Sequence, residues 1–135
     1  MIQILFFSEL SFGYPVNDVI SIGQLRYYIV PFRAGGVTVR VEVFSGEVEC
    51  YVSYINRNPN SEDYNWRLFV LEYDDLYIDR ISWGSTVRNF VFVAVNGTEF
   101  ANNFTIISTM GDTTVRSKHH HAKISHYHTP LVILP

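Results

Sequence analysis

The five histidines of this chain all lie near its C-terminus, where their imidazole nitrogens could bind a transition metal. They are His119, His120, His121, His126 and His128. If this segment forms a strand, His126 and His128 point to the same side, and imidazole is a common zinc ligand. A zinc site needs several ligands held in a fixed geometry, whereas no carboxylate accompanies these histidines and consecutive histidines do not converge easily on one ion. The sequence therefore predicts no functional metal site and no cofactor.

A group of carboxylates could instead supply the oxygen ligands that calcium prefers. Its members are Glu72, Asp74, Asp75 and Asp79, with Glu62 and Asp63 in a separate polar stretch. Their spacing does not match the loop of an EF-hand. The sequence at residues 73–75 favours a turn between two short strands, so we expect these carboxylates to face water rather than a metal ion.

Nucleophilic catalysis needs an activated side chain held beside an acid or a base. Ser8, Ser45 and Ser82 lie in no nucleophile-elbow sequence, and no glycine-rich phosphate loop is present. Cys50 is the only cysteine, so it forms no internal disulfide. Its alternating surroundings favour a small buried side chain over a reactive thiol. We therefore expect a chain without enzymatic activity.

Aromatic residues are the best candidates for contacts with a ligand, because such rings often carry much of the energy of an interface. Tyr64 and Trp66 lie at the end of a polar loop at residues 56–65. For Trp66 the sequence favours an indole that fills the protein core, with contact to a ligand as the alternative. The binding candidates are Tyr51, Tyr54, Tyr64, Trp66 and Trp83.

Two asparagines, Asn96 and Asn103, begin the Asn-X-Thr pattern of N-glycosylation. Such patterns also occur by chance, and they matter only in a chain that passes through a secretory route. Both asparagines are glycosylation candidates, and their presence favours a secreted eukaryotic chain.

The composition favours one folded domain. The chain has 135 residues, of which 47% are hydrophobic and 17% charged, and this is enough to build a core. The net charge is −3, and no basic surface of the kind that nucleic acids require stands out, so we expect no nucleic-acid partner. No apolar stretch is long enough to span a membrane. Residues 1–7 lack the features of a signal peptide, so we expect a fragment of a longer protein or a missing true start.

Residues 37–43 give the clearest strand pattern in the chain. Val37, Val39, Val41 and Val43 share one face, while polar residues occupy the other, so we expect the valines to face the core. After a turn at Ser45 and Gly46, the same alternation resumes at residues 47–55. Two such runs around a short glycine-containing loop predict a β-hairpin.

The rest of the chain adds more strands of this kind. Residues 90–95 are apolar on both faces, as in a central strand, and Asn96-Gly97 predicts a turn after them. The remaining predicted strands are residues 24–32, 66–72, 76–81 and 103–109. These patterns predict an all-β fold, a single antiparallel β-sandwich of about seven to nine strands. We place the sandwich domain at residues 1–110 and a histidine-rich tail at residues 111–135.

Several short motifs follow one another in a characteristic order between residues 10 and 109. They are residues 22–28 as an entry strand with Tyr-Tyr, 45–52 as the second half of a hairpin, 58–66 as an Asn-Pro and Tyr-Asn-Trp loop, and 90–95 and 104–106 as the last strands. In this order they resemble the bacterial pre-peptidase C-terminal (PPC) domain family. The resemblance implies a jelly-roll-like sandwich that serves as a non-catalytic, often extracellular accessory domain. Glu47 and Glu49 stand where the family usually has Asp, and Cys50 where it has Leu.

These observations lead to one principal functional hypothesis and two alternatives. The principal one is an extracellular or cell-surface module of a larger protein that binds protein or glycan, with residues 56–66 as the first candidate surface. One alternative is a purely structural spacer. The other is a histidine-dependent metalloenzyme. The sequence leaves the ligand and the oligomeric state open.

Overall fold

The computed structural model describes residues 7–79 and 89–115, and within these ranges the chain forms nine β-strands. The strands are β1 (Phe7–Glu9), β2 (Val16–Ser21), β3 (Leu25–Pro31), β4 (Val37–Ser45), β5 (Val48–Ser53), β6 (Trp66–Val70), β7 (Tyr73–Ile78), β8 (Phe90–Gly97) and β9 (Ala101–Met110). In the part of the chain that is described, no helix is long and apolar enough to cross a membrane.

The strands belong to two sheets, whose inner faces enclose one hydrophobic core. The five-stranded sheet has the order β1-β3-β8-β5-β6, and the four-stranded sheet has the order β2-β9-β4-β7. The pairing of β1 with β3 is parallel, and the other pairings are antiparallel. The predicted all-β sandwich of about seven to nine strands is therefore confirmed, with one parallel pair at an edge.

Alternating side chains fill the space between the sheets, as the period of two predicts. Val37, Val39 and Val41 have no exposed surface, and Val43 is 9% exposed, which confirms that this face of β4 lies in the core. Strand β8 lies in the middle of its sheet, and both of its faces are largely buried. The prediction of a central strand at residues 90–95 is therefore also confirmed.

The predicted hairpin between residues 37–43 and 47–55 is wrong. Strand β4 lies in the four-stranded sheet and β5 in the five-stranded sheet, so the chain crosses from one sheet to the other at Gly46. An alternating pattern specifies which side chains face the core, but both walls of a sandwich satisfy it equally well. The register shift between Val43 and Ser45 marks a bulge, which bends a strand, just before this crossing.

The predicted turn at residues 73–75 is also wrong, because strand β7 begins at Tyr73. Asp74 and Asp75 are only 2% and 8% exposed. The expectation that these two carboxylates face water is therefore wrong. Asp75 lies opposite Arg40 in the register and accepts a hydrogen bond of 3.1 Å from its guanidinium. A charge placed beside an opposite charge tolerates burial in a strand. The end of the predicted strand 76–81 lies outside the described residues.

The turn predicted at Asn96-Gly97 begins two residues later, because β8 continues through Gly97 and the turn occupies residues 98–100. The buried side chain of Asn102 explains this position. Its Oδ1 accepts the backbone N–H groups of Glu47 and Glu99, and its Nδ2 donates to the carbonyl oxygens of Ile20 and Glu99. One amide side chain thus ties together three connections at one end of the sandwich.

After β9 the chain folds back over the outer side of the four-stranded sheet. The Thr38 hydroxyl donates to the carbonyl oxygen of Gly111 at 2.7 Å and accepts the N–H of Thr113 at 3.0 Å. Asp75 accepts the N–H of Val115 at 2.9 Å. We call residues 111–115 the strap. The domain boundary predicted at residue 110 falls at the start of this bonded segment, and its position remains a prediction.

We expect a chain that ends at Val115 to be more stable than one that ends at Met110. Each strap hydrogen bond contributes about 0.5–1.5 kcal/mol, and partial exposure reduces the sum, so the difference should be about 2 kcal/mol. Urea unfolding of the two truncated chains measures it. Equal midpoints and slopes would show that the strap adds nothing to the fold.

Candidate binding surface

The outer side of the five-stranded sheet carries a row of side chains that crosses four strands. The register aligns Tyr27 of β3 with Ala94 of β8, Ala94 with Tyr51 of β5, and Tyr51 with Arg67 of β6. These positions alternate with the valines and leucines that face the core. The row therefore places aromatic and charged groups on the side of the sheet that the core does not use.

Glu49 and Arg67 form an ion pair on this outer side. The guanidinium of Arg67 contacts Oε2 of Glu49 through Nε and Nη2. The other carboxylate oxygen, Oε1, accepts the Tyr51 hydroxyl at 2.7 Å. Glu49 is 7% exposed, and a buried carboxylate is stable only when it is paired in this way. Both oxygens of Glu49 are thus engaged by neighbours on its own sheet.

Arg67 is surrounded by three aromatic rings. Its guanidinium carbon lies 4.8 Å from the ring centre of Phe69, 5.8 Å from that of Tyr51 and 5.9 Å from that of Tyr64. These distances are within the range of cation–π attraction. We call Glu49, Tyr51, Tyr64, Arg67 and Phe69 the Arg67 face. Phe69 is 61% exposed, so the face presents an aromatic ring to solvent.

The electrostatics of the Arg67 face keep the phenol of Tyr51 neutral and the guanidinium of Arg67 charged. Burial raises the pKa of Tyr51, and the hydrogen bond to Glu49 raises it further. Partial burial alone would lower the pKa of Arg67, but the hydrogen bond and charge of Glu49 outweigh this effect, and the pKa is raised. At neutral pH the face is therefore a fixed ion pair with a neutral phenol beside it.

The polar loop at residues 56–65 adjoins the Arg67 face and is tied by its own side chains. Asn56 donates to Asp63 at 2.9 Å, and the backbones of Asn60 and Asp63 bond reciprocally at 3.1 Å. The buried Asn65 accepts the Ser53 hydroxyl at 2.9 Å. These bonds hold the end of the loop, and Tyr64 with it, in place beside β5.

The structure separates the predicted aromatic candidates into two groups. Tyr51 and Tyr64 lie together on the Arg67 face, with ring centres 6.0 Å apart. Tyr54 and Trp66 contact each other with ring centres 5.9 Å apart, and Trp66 packs against the hydrophobic core. The favoured assignment of Trp66 to the core therefore fits its position. Trp83 lies outside the described residues.

The sequence did not predict three members of the Arg67 face, which are Glu49, Arg67 and Phe69. The strand WRLFV at residues 66–70 contains the signal that could have found two of them, because Trp66, Leu68 and Val70 face inward and leave Arg67 and Phe69 outside.

The two glycosylation candidates lie within strands rather than loops. Asn96 is in β8 and Asn103 is in β9, and each is partly exposed on the outer side of its sheet. The hydroxyl of Thr98, in the first of these Asn-X-Thr patterns, donates to the carbonyl oxygen of Glu47 at 3.1 Å. Modification of either asparagine remains a prediction.

The groups that could do chemistry are dispersed, and the serines Ser8 and Ser45 are exposed in two different strands, β1 and β4. Cys50 is buried as a free thiol, and burial, then the charges of Asp74 and Glu49, raise its pKa. Within residues 7–79 and 89–115, no three His, Cys, Asp or Glu side chains are grouped so that they could hold a metal ion. All five histidines and Ser82 lie outside these ranges.

We expect Tyr51 to resist ionisation at the pH where an ordinary tyrosine loses its proton, about 10. Because its pKa is higher in the folded chain than in the unfolded chain, its contribution to stability is present below pH 10 and is lost as pH rises further. Absorbance titration at 295 nm of the native chain and of Tyr51→Phe measures this. The difference between the two titration curves should show no step near pH 10. A step there would contradict the burial of Tyr51.

Family models and curated proteins offer no relative on which to base a function. No protein-family model matches the chain, and no curated protein matches it. A function must therefore be inferred from the side chains of the Arg67 face and from the fold that holds them.

Proposed function

We propose that this chain is a non-catalytic binding module of a larger extracellular or cell-surface protein, and that it engages protein or glycan through the Arg67 face. The observation that carries the proposal is the exposed ring of Phe69, which is in cation–π contact with a guanidinium that Glu49 holds in place. The ligand is a molecule with apolar patches, such as the faces of sugar rings or the side chains of a polypeptide.

The composition of the Arg67 face supports binding. Tyrosine and arginine dominate the residues that carry interface energy, and phenylalanine is also enriched at interfaces. Tyr51 is held by Glu49, and Tyr64 lies beside both Tyr51 and Arg67. Side chains that are already ordered lose little conformational entropy when a ligand arrives. The face therefore has the chemistry of a preorganised contact surface.

The strand order supports the more specific fold that we propose, a jelly-roll-like sandwich. Without the edge strand β1, the sheets have the orders β3-β8-β5-β6 and β2-β9-β4-β7, an arrangement of eight strands compatible with two Greek keys. The motif order that resembles the PPC family supports an accessory role outside the cell. Fold likeness alone does not assign a ligand. The assignment of a ligand class therefore rests on the side chains of the Arg67 face.

Binding isotherms on cellulose, chitin and immobilised gelatin test the proposal with two kinds of potential ligand. We expect the full chain to bind at least one of the three. Phe69→Ala should weaken that binding about tenfold, the equivalent of about 1.4 kcal/mol. Phe100→Ala is the matched control, because Phe100 is 85% exposed in the turn before β9 and is not one of the residues of the Arg67 face.

Three results would contradict the proposal. Equal losses for Phe69→Ala and Phe100→Ala would mean that the contact is nonspecific. Absence of binding to all three materials would favour the structural spacer. Release of soluble sugar or peptide by the chain, abolished when His126 and His128 are both replaced by Ala, would favour the metalloenzyme.

A further inference from the structure

The outer side of the four-stranded sheet carries a second, different surface. Val19 of β2 lies opposite Asn103 of β9, and Asn103 lies opposite the bulge of β4 that contains Phe44. Val19 is 60% exposed and Phe44 is 58% exposed. Leu71, in the turn before β7, is also 58% exposed. We call Val19, Phe44 and Leu71 the apolar row.

Carboxylates border the apolar row. Glu42 and Glu72 are both exposed beside it, and the carbonyl oxygen of Glu72 accepts the N–H of Val43, next to Phe44. Arg40 is the only Lys or Arg in the four strands of this sheet. Its guanidinium already bonds Asp75 and the strap. The surface therefore combines apolar side chains with negative charge, and it favours a partner that is both apolar and basic.

The strap leads the chain onto this same surface. Its last residue, Val115, is bound to Asp75. In the ladder of β4 and β7, Asp75 pairs with Arg40, and Glu42 pairs with Tyr73 two positions further on. Glu72 follows directly. Glu72 is three positions from Asp75, which corresponds to about 10 Å at about 3.3 Å per residue. The strap thus ends about 10 Å from these exposed carboxylates, and the apolar row lies beyond them.

The sequence that follows the strap has the matching chemistry. Residues 116–135 contain Arg116, Lys118 and Lys123, no Asp or Glu, and the apolar run 131–134. All 13 Asp and Glu residues of the chain lie before this segment. Its 20 residues could span about 60 Å when extended, which is far more than the distance to the apolar row.

We propose that residues 116–135 bind in cis across the apolar row, with their cations beside Glu42 and Glu72. Charge attraction brings the two together, and burial of the exposed side chains of Val19 and Phe44 supplies the hydrophobic gain. Attachment through the strap keeps the segment at a high effective concentration. The segment is thus a cap for the outer side of the four-stranded sheet, on the side of the molecule opposite the Arg67 face, and the proposal is independent of the ligand of that face.

Paramagnetic broadening in the full chain tests this contact. A nitroxide is attached at Ser125→Cys, and the buried native Cys50 remains unlabelled. We expect selective loss of the amide signals of Val19 and Phe44, with the signal of Phe69 on the opposite side retained. The variant Glu42→Lys with Phe44→Ser should restore the signal of Val19. Its unchanged spectrum elsewhere would show that the fold is intact.

The same experiment has outcomes that overturn the proposal. Absence of broadening, or equal broadening of Phe69 and Val19, would show that residues 116–135 do not bind the apolar row. Broadening in a mixture of isotope-labelled chains without nitroxide and unlabelled chains with nitroxide would show that the occupant comes from a second copy.

Discussion

The buried carboxylate of Glu49 is the constraint on which the outer side of the five-stranded sheet depends. A charge that is 7% exposed must be compensated by close partners, and Arg67 and Tyr51 are those partners. Because Arg67 is bound to Glu49 from one side, its guanidinium stays in contact with the rings of Phe69 and Tyr64. The position of the exposed aromatic surface thus follows from the need to neutralise one buried charge.

The sandwich gives this ion pair a rigid support and gives the molecule two unlike sides. Only the connection between β5 and β6 stays within one sheet, and the other connections cross between the sheets. Asn102 fixes several of the crossings at one end through four hydrogen bonds of its buried amide. Because valines at alternating positions fill the interior, the side chains on the two outer sides do not have to form the core and can differ in chemistry. One carries the Arg67 face, and the other carries the strap, carboxylates and an apolar row.

The sequence predicted the class of fold and the inner face of β4, because a period of two reports directly on burial. It did not predict which strands are neighbours, since Val43 and Val48 satisfy the same pattern on opposite walls of the core. Asp74 and Asp75 suggested a turn because the local sequence does not reveal that Arg40 of the neighbouring strand lies opposite Asp75. Tyr51 and Tyr64 were found by ring type alone, whereas Arg67 and Phe69 require knowledge of which side of β6 faces out and what lies beside it.

A double-mutant cycle on Glu49 and Arg67 tests the central role of the ion pair most directly. The free energy of unfolding is measured by urea for the native chain, Glu49→Gln, Arg67→Met and the combined variant. Arg67 retains 37% side-chain exposure, so solvent screening reduces the coupling. We expect the two changes to be coupled by about 1 kcal/mol, with the combined variant less destabilised than the sum of the single ones. Additivity within about 0.3 kcal/mol would show that the pair does not hold the Arg67 face together.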